Sequence, residues 1–189
     1  MVQKFQQFKS HLKKGGLYKR SELEKWSNSV DRDLSKLVSE GTLTKVGPGL
    51  YYVAIYNAFG VQLPSDESLV KKFLDDDNFL ITSYNIYNKL SLGTTQLYNN
   101  KVVYNHLRSG DIILGNRTFT FKKKSSFPKK ASEAFIIVDL VNNLDQLAED
   151  QPQVLEKVQR KIKDMDTKAL DDALHKYGTA KTRKLLTLA

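Results

Sequence analysis

Residues 15–53 read GGLYKRSELEKWSNSVDRDLSKLVSEGTLTKVGPGLYYV, and the order of signals within them decides the fold. Ser21 and Glu24 stand at the S-x-x-E spacing of a capping box, which predicts a helix with Leu23 and Trp26 on its buried side. Asn28 or Ser29 then caps a further helix that stops at Gly41. In it Val30, Leu34, Leu37 and Val38 form one apolar stripe at 3.6-residue spacing. The opposite face collects Ser29, Arg32, Lys36 and Ser39, with Ser35 at its edge. Thr42 to Val46 and Leu50 to Val53 read as strands joined by Gly47-Pro48-Gly49, a turn in which glycine admits positive φ and proline fixes its own.

Upstream, Phe5, Phe8 and Leu12 recur at i, i+3 and i+7, marking a helix that ends at Lys13-Lys14 before Gly15-Gly16. Helix, helix, helix and hairpin in this order are the parts of a winged helix-turn-helix, which sets one helix into a DNA groove and braces the backbone with a β-wing. On that reading the exposed face of residues 29–39 enters the major groove. Arg32 and Lys36, one turn apart, meet guanine edges or phosphates, and Ser29, Ser35 and Ser39 permit close approach. Lys19, Arg20 and Lys45, with the Tyr51 hydroxyl, are placed for phosphate contacts. Asp31 and Asp33 suit the positive end of the helix dipole but repel phosphates, so the groove-facing register has to hold them aside.

Charge agrees with a polyanionic partner. The 189 residues carry a net +9, of which residues 1–53 hold +5, residues 54–150 none and residues 151–189 the remaining +4. Such a field attracts nucleic acid first, and an anionic membrane or acidic protein less often. The bland alternative is a lysine-rich face that only keeps the chain in solution. There are no cysteines, which excludes disulfides, thiolate chemistry and cysteine-based zinc sites and fits a cytoplasmic setting. The first residues lack the apolar core of a signal peptide, and no apolar run, Ala134 to Val138 included, is long enough to span a membrane.

Beyond the hairpin the pattern lapses, giving an expected division into residues 1–56, a linker at 57–64, and a mixed α+β domain over 65–189 with a helical end. Ser65 is expected to cap a helix carrying Leu69, Val70, Phe73 and Leu74. Asp75-Asp76-Asp77 lacks the spacing of a calcium loop and reads as a solvated turn. Tyr84, Tyr87 and Leu90 form a helical segment ending near Gly93, and Lys101–Tyr104, Asp111–Leu114 and Thr118–Lys122 read as strands. Helices follow over Ser132 to Leu147 and from Pro152, Thr167 and Thr179, the last with Leu185, Leu186 and Leu188 as its dry side. A second basic cluster, Lys122-Lys123-Lys124 with Lys129-Lys130, is a candidate partner surface or a solvated loop tip.

Catalytic signatures are missing. His11, His106 and His175 have no ligand spacing, and no GxxxxGK[ST], HExxH or GxSxG occurs. Asn105, His106, Arg108 and Asp111 could assemble an acid–base site, but a strand-to-strand turn is the stronger account. The expectation is a non-enzyme without cofactor or metal.

The run LYKRSEL (17–23) followed by VDRDLSKLVSEGTLTKVGPGLYYV (30–53) resembles the helix-turn-helix of AbiEi-type antitoxins of bacterial type IV toxin–antitoxin systems. FLITSYNIYNKLSLGTTQ (79–96) extends the likeness more loosely. The resemblance implies a transcriptional autorepressor that binds inverted repeats in its promoter, and a C-terminal domain that counteracts a nucleotidyltransferase toxin. It carries the DNA-reading role onto the exposed face of 29–39 and onto the wing near Lys45 and Gly47, and it offers no catalytic residues. The alternatives are a winged-helix protein-interaction module and a stand-alone regulator without a toxin.

Overall fold

A computed structural model describes residues 2–92 and 97–187. The fold is mixed α+β, and the chain divides into two compact units, Met1–Asp77 with Asp111–Phe119, and Asn78–Gly110 with Thr120–Ala189.

The first unit opens with α1 (Val2–Ser10) and β1 (Leu17–Lys19). Next comes α2 (Arg20–Leu23), prolonged by a 3-10 turn at Glu24–Trp26, then α3 (Val30–Ser39). β2 (Thr44–Gly47) and β3 (Leu50–Tyr52) form a hairpin, and β1 adds to it antiparallel to give the order β1-β3-β2. Leu17 faces Tyr52 and Lys45 faces Tyr51, with a register shift between Lys45 and Gly47. Gly49 adopts φ +63°, the left-handed conformation that the Pro48-Gly49 turn requires. Phe8, Leu23, Val30, Leu34, Leu37, Leu43 and Val53 form the core beneath these helices.

Two core expectations fail at the margins. Val38 is 39% exposed, because one step beyond Leu37 turns it about 100° around the helix, away from the buried stripe. Trp26 is 37% exposed: α2 is too short to carry it inward, and its ring stacks on His11 with centroids 4.7 Å apart. The helix start also differs. Lys19 is the N-cap, its N–H donating to Glu22 Oε2 at 2.8 Å, while the Glu24 carboxylate binds Arg20.

Residues expected to be a linker form a second hairpin, β4 (Ile55–Asn57) with β5 (Gly60–Gln62), every residue of which is exposed. α4 (Asp66–Leu74) follows, its Ser65 cap accepting the Ser68 N–H at 3.2 Å and Leu69, Val70, Phe73 and Leu74 buried as expected. It belongs to the first unit, so the compact division departs from a boundary at 57–64. The reason is packing: Lys72 pairs with Glu22 at 2.6 Å and Lys19 with Asp75 at 3.3 Å.

In the second unit β6 (Phe79–Thr82) pairs antiparallel with β7 (Lys101–Asn105), Phe79 facing Asn105. A 3-10 segment, Tyr84–Leu90, lies between them; its expected end at Gly93 is outside the described residues. β8 (Gly110–Leu114) and β9 (Arg117–Lys123) complete the order β6-β7-β9-β8. The tip of that last hairpin, residues 111–119, is part of the first unit. There Gly115 N–H donates to Val46 O at 2.7 Å, and Arg117 reaches Pro64 O at 2.7 Å and Asp66.

The helical half centres on α5 (Glu133–Asn142), whose residues from Ala134 to Val141 are all buried. A helix apolar on every side has to be surrounded. α6 (Gln151–Ile162), α7 (Thr167–Tyr177) and α8 (Ala180–Thr187) supply Val154, Val158, Leu170, Leu174 and Leu186 to the same core. Leu188, expected on the dry side of the last helix, lies outside the described residues. Among the described residues no helix is long and apolar enough to cross a membrane.

Candidate functional site

The exposed face of α3 is assembled by its own periodicity: Val30, Leu34 and Leu37 go inward, so Asp31, Arg32, Ser35, Lys36 and Ser39 go outward. Arg32 is 67% exposed at its side chain, and its nearest carboxylate, Asp33, stands 3.6 Å from Nε. Lys36 rests with Nζ 4.2 Å from the centre of the Phe5 ring and 3.9 Å from Glu40. The serines are less available than expected. Ser35 Oγ donates to Asp31 O and Ser39 Oγ to Lys36 O, both at 2.8 Å, while Ser29 is the N-cap residue but makes no side-chain cap bond.

The two acidic residues of α3 are both engaged, Asp31 on the outward face with its side chain 73% exposed and Asp33 covered at 14%. Asp31 accepts Arg20 Nε and Nη2, each at 2.7 Å. The hydrogen bonding of this pair raises the Arg20 pKa and lowers that of Asp31. Asp33 turns back to accept Ser27 Oγ at 2.6 Å. Arg20 is therefore tied to carboxylates, Asp31 and Glu24, and its backbone N–H donates to Gly49 O at 2.8 Å, fixing the hairpin turn. Expected as a phosphate contact, it is a brace in this structure. Lys19 is similarly occupied by Asp75. Lys45 is exposed and makes no ion pair among the described residues, whereas Tyr51 is half-buried against the helical core. Gly47 is a packing position: a Cβ there would lie 2.6 Å from Leu114 Cδ2.

Beside α3 lies a cleft of about 760 Å³ lined also by Lys25, Trp26 and Asn28; sequence reasoning read Trp26 as core and Asn28 as a cap, and did not single out Lys25. Lys25 and Trp26 belong to the 3-10 turn and Asn28 to the irregular link into α3, where no helical period marks a face.

The second basic cluster divides. Lys123, Lys129 and Lys130 are exposed, but Lys122 is half-buried. Its ammonium donates to Tyr84 Oη at 2.7 Å, Asn143 Oδ1 at 2.9 Å and Gln146 Oε1 at 2.6 Å. Burial lowers its pKa. Strand alternation sends Phe119 and Phe121 into the core and brings Lys122 over a polar network, so it is no docking residue. Lys124 is also half-buried, its Nζ 5.6 Å from the Tyr104 ring centre.

That network centres on Asp139, only 4% exposed, which accepts Tyr87 Oη at 2.9 Å, Tyr104 Oη at 2.6 Å and Asn143 Nδ2 at 3.1 Å. Burial raises the Asp139 pKa despite these donors, and burial beside Asp139 raises those of Tyr87 and Tyr104. Its donors and acceptors are matched internally, which is the mark of a structural lock. Asn105, a candidate for an acid–base group, organises the turn after β7: Oδ1 accepts the N–H groups of Leu107 and Arg108 at 2.9 and 2.8 Å. His106 Nδ1 donates to Lys124 O at 2.8 Å and its ring stacks on Phe127. Lys71 pairs with Asp77 at 3.1 Å, and no group of three His, Cys, Asp or Glu able to hold a metal occurs among the described residues.

The model of a family of unknown function, DUF6088, matches residues 5–174. The chain belongs to that family. The match runs from α1 into α7, so the elements that shape the α3 cleft and the Asp139 lock both lie within the DUF6088 span. No curated protein matches the chain.

Proposed function

We propose that the N-terminal elements form a winged helix-turn-helix in which α3 reads the major groove of duplex DNA and the β2–β3 hairpin is the wing. The observation that carries this reading is the pairing of charge on α3. Arg32 and Lys36 face outward, and the carboxylates that would repel phosphates are countered in place, Asp31 by Arg20 and Asp33 by Ser27 and Arg32. The order helix, strand, helix, helix, hairpin and the +5 charge of residues 1–53 support it. The protein is then a cytoplasmic transcriptional autorepressor acting on inverted repeats upstream of its own gene. The resemblance to AbiEi-type antitoxins extends the reading to an antitoxin against a nucleotidyltransferase toxin, without enzymatic activity of its own.

A gel-shift series on the DNA upstream of the gene tests the DNA reading. Arg32→Ala with Lys36→Ala should weaken binding by about 1–3 kcal/mol for each base edge that is no longer read, with an unchanged melting temperature. Wild type and double variant shifting the operator alike would refute it. Co-expression with an adjacent nucleotidyltransferase gene tests the antitoxin reading, growth rescue being the expected result. One observation favours a protein-binding alternative. The uncharged β4–β5 hairpin exposes Tyr56 (67%) and Phe59 (99%), aromatic side chains of the kind that anchor protein interfaces.

A further inference from the structure

The cleft beside α3 is lined by residues of three segments. α3 contributes Arg32 and Lys36, α1 contributes Phe5, whose ring centre lies 4.2 Å from Lys36 Nζ, and the connection into α3 contributes Lys25, Trp26 and Asn28. Three cations line it against one carboxylate, Asp33. That carboxylate is 14% exposed at its side chain and already accepts Ser27 Oγ, so the cleft is positive. Its volume, about 760 Å³, matches sites that enclose a drug-sized ligand and leaves room for a stretch of sugar–phosphate strand. Trp26 is fixed at the lip by its stack on His11 and an edge contact with Tyr18, which gives the cleft a rigid apolar surface. Lys36 is partly occupied by Phe5 and Glu40, whereas Lys25 makes no ion pair among the described residues and is exposed.

We infer that this cleft seats one sugar–phosphate strand of the duplex, with Lys25 and Asn28 as positioning residues that grip phosphate beside the base-reading face of α3. The inference rests on the DNA reading above and divides its labour: Lys25 sets affinity without regard to sequence, and Arg32 sets discrimination. Charge complementarity selects the occupant, since a seat with three cations and one covered carboxylate suits a polyanion and opposes an apolar or basic partner.

Fluorescence anisotropy of the full chain tests it, with a labelled duplex from upstream of the gene and a scrambled duplex of equal composition, over a series of salt concentrations. Lys25→Gln should weaken both duplexes by the same factor and lower the slope of log K against log salt by about one. Lys25→Arg should restore both. Arg32→Ala should instead reduce the ratio between the two duplexes. A wild-type slope in Lys25→Gln, with binding otherwise normal, overturns the seat and leaves the α3 reading standing. A loss of discrimination in Lys25→Gln overturns its positioning role. Failure of the wild-type chain to bind either duplex, with or without capture of a polyglutamate probe, overturns both.

Discussion

Arg20 and Asp31 meet in a two-pronged ion pair, Nε to Oδ1 and Nη2 to Oδ2, that joins the first residue of α2 to the first turn of α3. Parallel N–H···O bonds of this kind fix orientation as well as charge. Because the Arg20 backbone also holds Gly49, one residue sets the angle between the two helices and the turn of the hairpin.

Asp31→Asn should release Arg20 and remove one negative charge from the face proposed to meet DNA. Tighter duplex binding is expected, with the salt slope steeper by about one. Isothermal titration at two or more salt concentrations checks it; weaker binding would mean that the brace matters more than the charge.

Gly47→Ala should destabilise the first unit by about 1–3 kcal/mol, because the added Cβ would meet the fully buried Leu114 side chain. Urea unfolding of Gly47→Ala alone and combined with Leu114→Val provides the measurement. Partial recovery in the pair is expected, since the shorter side chain opens the space.

Asp139→Ala should orphan the Tyr87 and Tyr104 hydroxyls, at about 1–3 kcal/mol for each buried group left unpaired. Tyr104→Phe combined with Asp139→Ala should cost less than the sum of the two single changes, as residues of one network do. Thermal melts of the three variants read this directly. Lys122→Ala belongs to the same set: it should lower stability by removing the donor to buried Asn143.

Alkaline pH supplies a further test. Burial, with Asp139 nearby, pushes Tyr84 up to about 12, and Tyr87 and Tyr104 are raised in the same direction. In the unfolded chain tyrosines ionise near 10. Their contribution is therefore intact below about pH 10 and is lost as pH rises toward and past the folded-state values. Phenolate absorbance of the folded chain should lag that of the chain in urea, and the unfolding midpoint should fall through the same pH window.

How much of this was legible depended on the range of the interaction. α3 could be read because Val30, Leu34 and Leu37 repeat with the helix, and the β2–β3 hairpin because Gly49 needs a left-handed turn. β1 has three half-buried residues and shows no alternation, so it stayed hidden. β4 and β5 are exposed on both faces, which erases the contrast that marks a strand and leaves a pattern resembling a linker. Asp139 closed an apolar run in the sequence, and nothing local announced partners at Tyr87 and Tyr104, 52 and 35 residues earlier. For the site, the polar stripe was legible, but the pairing of Arg20 with Asp31 spans 11 residues and two helices. Tertiary packing withdrew Arg20, Lys19 and Lys122 from the set of available cations and left Lys25 in their place.

The hairpin tip at residues 111–119 makes the first unit discontinuous in sequence. A stop codon after Asp77 would delete the donor to Val46 O and uncover the Leu114 side of Gly47, and a start at Asn78 would carry that loop away without its seat. A cut at that point therefore falls inside the first unit as it is packed, separating residues 111–119 from the segment they bind.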